Sequence, residues 1–133
     1  MGAQALVEGA LLGMIRMDAT EARMFALLYD RNPVHVEVAR RNAILPEDTV
    51  SGLYVVAKAL DLLQVAAPDH TARVLCASKM SVRWLAPVIG DQWVSLRIET
   101  VIMERTSRIF LRLLLRVGDV PVAEIDLHQI LAV

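Results

Sequence analysis

Within the stretch Asp30-Arg31-Asn32-Pro33-Val34-His35 a carboxylate and an imidazole stand five positions apart, on either side of an Asn-Pro pair. Histidine titrates near neutrality without help, so it can take a proton from water or return one. A carboxylate beside it can orient the second hydrogen of the same water. Asp30 and His35 are spaced too widely to be neighbouring side chains on one strand, yet a turn at Asn32-Pro33 can bring both to one side. Pro33 fixes its own φ and restrains Asn32, which stiffens the loop between them. General acid-base work on a single water is the chemistry on offer. Taken singly, Asp30 is also an ordinary helix-end or turn residue, Asn32-Pro33 ordinary loop chemistry, and His35 an ordinary structural histidine.

Ser51-Gly52 heads the apolar stretch GLYVVAKALDLLQVA. Where a reaction develops negative charge on an oxygen, a donor must be aimed at it. First-turn amides of a helix have no intrahelical acceptor and lie at the positive end of the helix dipole, so the Gly52 N–H is a candidate. Lacking a side chain, Gly52 would let a ligand approach closely. Ser51 can donate a hydrogen bond or cap the helix. His70, after Pro68-Asp69, is expected in an exposed loop, and His128 is expected to be structural. No spacing of His, Cys and carboxylates suggests a metal centre, and none is expected.

The elements that must position these groups follow from periodicity. Residues Leu6 to Met17 read as a strand weakened by Gly9 and Gly13. Asp18-Ala19-Thr20-Glu21 has the spacing of a capping box, after which Met24, Phe25, Leu27 and Leu28 recur at helical intervals up to Tyr29. Val38 to Asn42 could add a helical turn before Pro46 stops it. From Thr49 onward only Lys58, Asp61 and Gln64 are polar in the body of the next helix, which predicts one narrow wet stripe with everything else buried. Alternating apolar residues then predict strands over 74–82, 94–99, 109–116 and 120–131, with turns at Arg105-Thr106-Ser107 and Gly118-Asp119. The fold class is therefore α+β, an antiparallel sheet curled around a long buried helix.

At 133 residues, without a linker, repeat or low-complexity segment, the chain makes one domain over 1–133. Fourteen basic and fifteen acidic residues leave a net charge of −1 and no basic stripe, which argues against nucleic acid. The apolar share of 56% suggests a homo-oligomer, because some of that surface needs a partner to cover it. Cys76 is the single cysteine, so it forms no internal disulfide and fits a reducing, cytoplasmic setting, where it is expected to be a small core residue. The first residues lack a positive start and carry Glu8 in their apolar run, unlike a signal peptide, and no membrane insertion is expected.

Asp30-Arg31-Asn32-Pro33-Val34-His35, then Ser51-Gly52 at the head of a buried helix, then Val82-Arg83-Trp84-Leu85-Ala86-Pro87-Val88-Ile89-Gly90-Asp91, resemble in their order the MaoC-like hydratase/dehydratase family, from about Asp18 to Leu131. The six-residue D-x-N-P-x-H element is the more specific part. The resemblance implies a hotdog fold and a reaction on an acyl thioester of coenzyme A or an acyl carrier protein. Water adds to a trans-2-enoyl group, or a 3-hydroxyacyl group loses it, without a cofactor. It implies Asp30 and His35 as the catalytic pair activating water, and Gly52 as the amide that receives the thioester oxygen. Ser51 and Asn32 join Gly52 as oxyanion- or substrate-binding candidates; the family commonly has His where Ser51 stands. Two other readings stay open. One is a hotdog thioesterase, which sends the water to the carbonyl carbon. The other is a non-catalytic acyl-thioester-binding subunit. A homodimer with sheets joined edge to edge is expected, with an acyl carrier protein as a further candidate partner.

Overall fold

The computed structural model describes residues 6–29 and 49–132. Asp30, Asn32, His35 and the helical turn expected over 38–42 lie outside the described residues. Strand β1 (Leu11–Arg16) is shorter than expected. The reason is Gly9: at φ +85° it belongs to a turn, in which the Ala10 N–H donates to the Val7 carbonyl at 3.0 Å. Gly13 is needed further along the strand, since a Cβ there would stand 3.2 Å from the methyl groups of Leu62.

Helix α1 (Ala19–Tyr29) starts as predicted: the Glu21 N–H donates to Asp18 Oδ1 at 2.7 Å, and this bond above all holds the Asp18 carboxyl below its usual range. The Glu21 side chain does not turn back on Asp18 as a full capping box would have it. Its carboxylate accepts from the Tyr54 hydroxyl at 2.9 Å and meets Lys58 Nζ at 3.1 Å, fastening α1 to the next helix. Phe25 packs edge-on against the same tyrosine, with ring centroids 5.6 Å apart.

Helix α2 (Gly52–Ala66) buries Tyr54, Val55, Val56, Ala59 and Leu63. Its apolar character exceeds what the sheet covers. Leu53 is 49% and Val65 78% exposed, so the expectation of a single narrow wet stripe is too strict. A short helix α3 (Pro68–Arg73) follows, with Pro68 in its first turn, where a missing N–H costs nothing.

The sheet contains β2 (Val74–Trp84), β3 (Trp93–Arg105), β4 (Arg108–Val117) and β5 (Val120–Leu131) in the order β1-β3-β4-β5-β2, all pairs antiparallel. Gly118 at φ +58° opens the β4–β5 hairpin, a conformation glycine adopts without a steric penalty. The predicted alternation is realised: Val94, Leu96, Ile98, Leu111, Leu113, Leu115, Ile125 and Leu127 face inward, each at most 2% exposed, in one core with the buried face of α2. Register shifts within the pairings of β2, β3 and β4 bend the strands around that helix.

The outer face carries the charges. Arg112 donates twice to Asp126, at 2.8 and 3.0 Å, and that pairing pushes the Asp126 carboxyl down. Arg83 pairs with Glu124, and His128 lies against Phe110, ring centroids 4.9 Å apart. Arg83 and Arg112 are therefore engaged across strands, and His128 Nδ1 lies 3.4 Å from Glu104 Oε1. Cys76 is not a core residue: it lies exposed on β2, an edge strand with no buried position.

Candidate functional site

The one stretch Leu85 to Gln92 tethers the chain just ahead of both helices. On one side the Val50 N–H donates to the Val88 carbonyl at 2.8 Å and Thr49 bridges Ile89, which fixes the approach to Gly52. On the other, Asp91 donates its N–H to the Met17 carbonyl at 2.6 Å and accepts at Oδ1 from the first amide of α1, Ala19, at 3.1 Å and from Arg16 at 2.8 Å. Asp91 holds φ at +69°, a region that Asp tolerates better than alanine. The Pro-Val-x-Gly-Asp segment is thus a brace between the starts of α1 and α2. We expect Asp91→Ala to lower stability by about 1–2 kcal/mol through the lost amide cap and the strained φ, and Asp91→Asn to lower it less. Urea unfolding of the two variants checks this; an Asp91→Ala midpoint equal to that of the parent protein would remove the brace.

Gly52 opens α2 on an apolar cavity of about 410 Å³ lined by Thr49, Val50, Val55 and the run Trp84 to Val88. Its size falls in the range of small-molecule sites. Ser51 is buried, at 1% exposure, and its side chain does not cap the helix, so of the two roles the sequence offered it the capping one is excluded. The Gly52 amide belongs to the first turn, whose N–H groups have no intrahelical acceptor and where the helix dipole favours developing negative charge.

The reason for glycine at position 52 differs from the expectation. A Cβ built there would lie 2.6 Å from Trp84 Cζ2 and 3.0 Å from Cε2, so the space is filled by the chain's own indole. Room for an approaching ligand is not what the missing side chain leaves. In the sequence Trp84 stood only as a member of the Val82–Asp91 segment; its seat on Gly52 joins positions 32 residues apart, which no local pattern records.

His70 is not in an exposed loop. It lies on α3, partly buried, and its Nε2 is 2.7 Å from Oε1 of Gln129. Gln129 is the polar member of the inward row Ala123, Ile125, Leu127, Gln129 and Leu131, and the pair ties α3 to β5 beside a second cavity that includes Leu60, Leu63, Met80 and Leu127. Among the described residues no three His, Cys, Asp or Glu side chains gather as a metal site requires, and no helix is long and apolar enough to cross a membrane.

A bent antiparallel sheet in this strand order, closed over one long helix, is the hotdog fold of the MaoC-like dehydratases and (R)-hydratases. Three solved structures illustrate it. The (R)-hydratase from A. caviae involved in PHA biosynthesis is 22% identical, covering 97% of this chain and 99% of that one with a TM-score of 0.67. The HadBC complex of Mycobacterium tuberculosis, a 3R-hydroxyacyl-ACP dehydratase, is 15% identical over 96% and 98%, TM-score 0.68. The MaoC-like dehydratase from Rhodospirillum rubrum is 16% identical over 95% and 92%, TM-score 0.67. No protein-family model and no curated protein matches the sequence. The fold that the D-x-N-P-x-H resemblance implied is the one the chain adopts.

Proposed function

We propose that the chain is a hydratase/dehydratase that adds water to trans-2-enoyl thioesters, or removes it from (R)-3-hydroxyacyl thioesters, with Asp30 and His35 activating the water. The observation that carries this reading is a helix N-terminus at Gly52 opening on an apolar cavity, in a fold shared with proteins described as (R)-hydratases and 3-hydroxyacyl dehydratases. Water attack at C3 of an enoyl thioester moves charge onto the thioester oxygen, and the Gly52 amide is the donor for it. Asp30 and His35 supply the proton exchange: one proton leaves the attacking water, and one reaches C2 as the enolate collapses. The substrate is carried on coenzyme A or an acyl carrier protein, and no further cofactor is required. A cytoplasmic location fits the lone Cys76.

Incubation with crotonyl-CoA in the presence of a thiol reagent tests the reaction class. Loss of enoyl absorbance without free thiol supports it. Thiol release would make the chain a thioesterase, and neither change would leave an acyl-thioester-binding subunit.

The working form is a homodimer. β2 is an edge strand of eleven residues, with Leu75 69% and Met80 46% exposed. So long an open edge is a pairing template unless another strand covers it, and an antiparallel two-fold pairing of β2 with its copy would do so. Sedimentation is expected to give twice the chain mass of 14.7 kDa; a well-behaved monomer contradicts the pairing.

A further inference from the structure

We infer that Trp84 is a specificity-determining residue, the wall against which the acyl chain lies, and that the site selects acyl groups longer than butyryl. This rests on the acyl-thioester reading of the Gly52 site. Trp84 ends β2, where the chain leaves the edge of the sheet and runs through Leu85, Ala86, Pro87 and Val88 along the cavity. Its benzo ring rests on Gly52 so closely that the glycine has no room for a methyl group, which fixes one face of the indole at the amide that would receive the thioester oxygen. The rest of the ring stays open, the residue being 45% exposed, and faces a cavity whose other described side chains are apolar except for Thr49.

A ligand held by its thioester oxygen at the Gly52 amide must therefore lay its first carbons beside this ring. Among the described residues the walls offer burial and, beyond Thr49, no polar side chain, which suits an unsubstituted hydrocarbon and disfavours a polar or charged acyl group. A volume of about 410 Å³ exceeds what a butyryl group fills, so binding should strengthen as the chain lengthens until the cavity is full. At roughly 0.8 kcal/mol per buried methylene, each added carbon tightens Kd about fourfold.

The chain has two tryptophans, and the other, Trp93, is 56% exposed at the start of β3 and does not line the cavity. Trp93→Phe leaves Trp84 as the sole indole reporter. Full-length Trp93→Phe protein is titrated with free coenzyme A and with butyryl-, hexanoyl- and octanoyl-CoA, saturated thioesters that cannot be hydrated. The expected result is a saturable change in Trp84 emission with the acyl thioesters, Kd falling about fourfold per methylene, and no change with coenzyme A alone. Emission that ignores the acyl group, or affinity independent of its length, overturns the inference. In a second measurement, Trp84→Phe is expected to shift the ratio of kcat/KM for octenoyl-CoA against crotonyl-CoA by at least about tenfold, and an unchanged ratio overturns the specificity role. Length-dependent binding without hydration by the parent protein would leave Trp84 in place and remove the hydratase reading. Hydration with an indifferent Trp84 would do the reverse.

Discussion

His35→Ala and Asp30→Asn are each expected to slow hydration of crotonyl-CoA by at least about a hundredfold while leaving the thermal midpoint within a few degrees of the parent protein. General acid-base catalysis by a positioned side chain contributes on the order of 10²–10⁴ in rate, and in the proposed mechanism both residues serve one water, so losing either would remove most of that contribution. The double variant should therefore be about as slow as the slower single one, because groups that act as a unit are not additive. Asp30→Asn keeps the size of the side chain and its ability to accept a hydrogen bond while removing the charge, so a large loss there assigns the role to the carboxylate itself. A loss below tenfold in both single variants would remove this pair from the reaction and leave Gly52 and its cavity as a binding site.

Gly52→Ala is expected to cost both stability and turnover, and for one physical reason. The added methyl group would lie 2.6 Å from a carbon of the Trp84 ring, and an aromatic ring cannot yield as a flexible side chain would. Either the indole leaves its seat or the start of α2 shifts. Overpacking of this kind costs about 1–3 kcal/mol. In the proposed mechanism a shifted helix start would also misaim the amide at the developing charge, where loss of one such donor costs about 2.7–4 kcal/mol, so kcat/KM should fall by more than tenfold. The double variant Gly52→Ala/Trp84→Leu separates the causes. With the ring gone, the stability cost of the alanine should largely disappear, giving a coupling of about 1 kcal/mol or more between the two sites. If the cost is undiminished without the indole, packing against Trp84 is not why position 52 is glycine.

The strands were the most legible part of the fold. Alternation over Val94 to Ile98 and Ile109 to Leu115 names the buried rows almost residue by residue, because a strand with one wet face writes its period directly into the chain. Asp18 was readable as a helix cap, and Gly118-Asp119 as a hairpin, for the same local reason. What could not be read depends on contacts distant in sequence. Glu21 has capping-box spacing, yet Tyr54 and Lys58 on another helix take its carboxylate. Cys76 alternates like a core residue but sits on an edge strand, and only the strand order reveals that. Leu53 and Val65 look like interior residues of an apolar helix, and how far the sheet reaches around α2 decides otherwise. The short helix over His70 did carry a local signal, Pro68 at its first turn, which a loop reading overlooks.

For the site, residue types pointed to Gly52 and to the chemistry of its amide, whereas the reason for the glycine lay in Trp84. Asp91 was legible only as part of a motif, and its work as a brace between the starts of α1 and α2 emerges from hydrogen bonds to Met17, Ala19 and Arg16.

Hydration of crotonyl-CoA in water enriched in heavy oxygen, with the products read by mass spectrometry, asks most directly where the activated water goes. Addition across the double bond predicts an intact thioester carrying the label as a hydroxyl on C3, in the R configuration. Label recovered instead in a free carboxylate, with coenzyme A released, would contradict it.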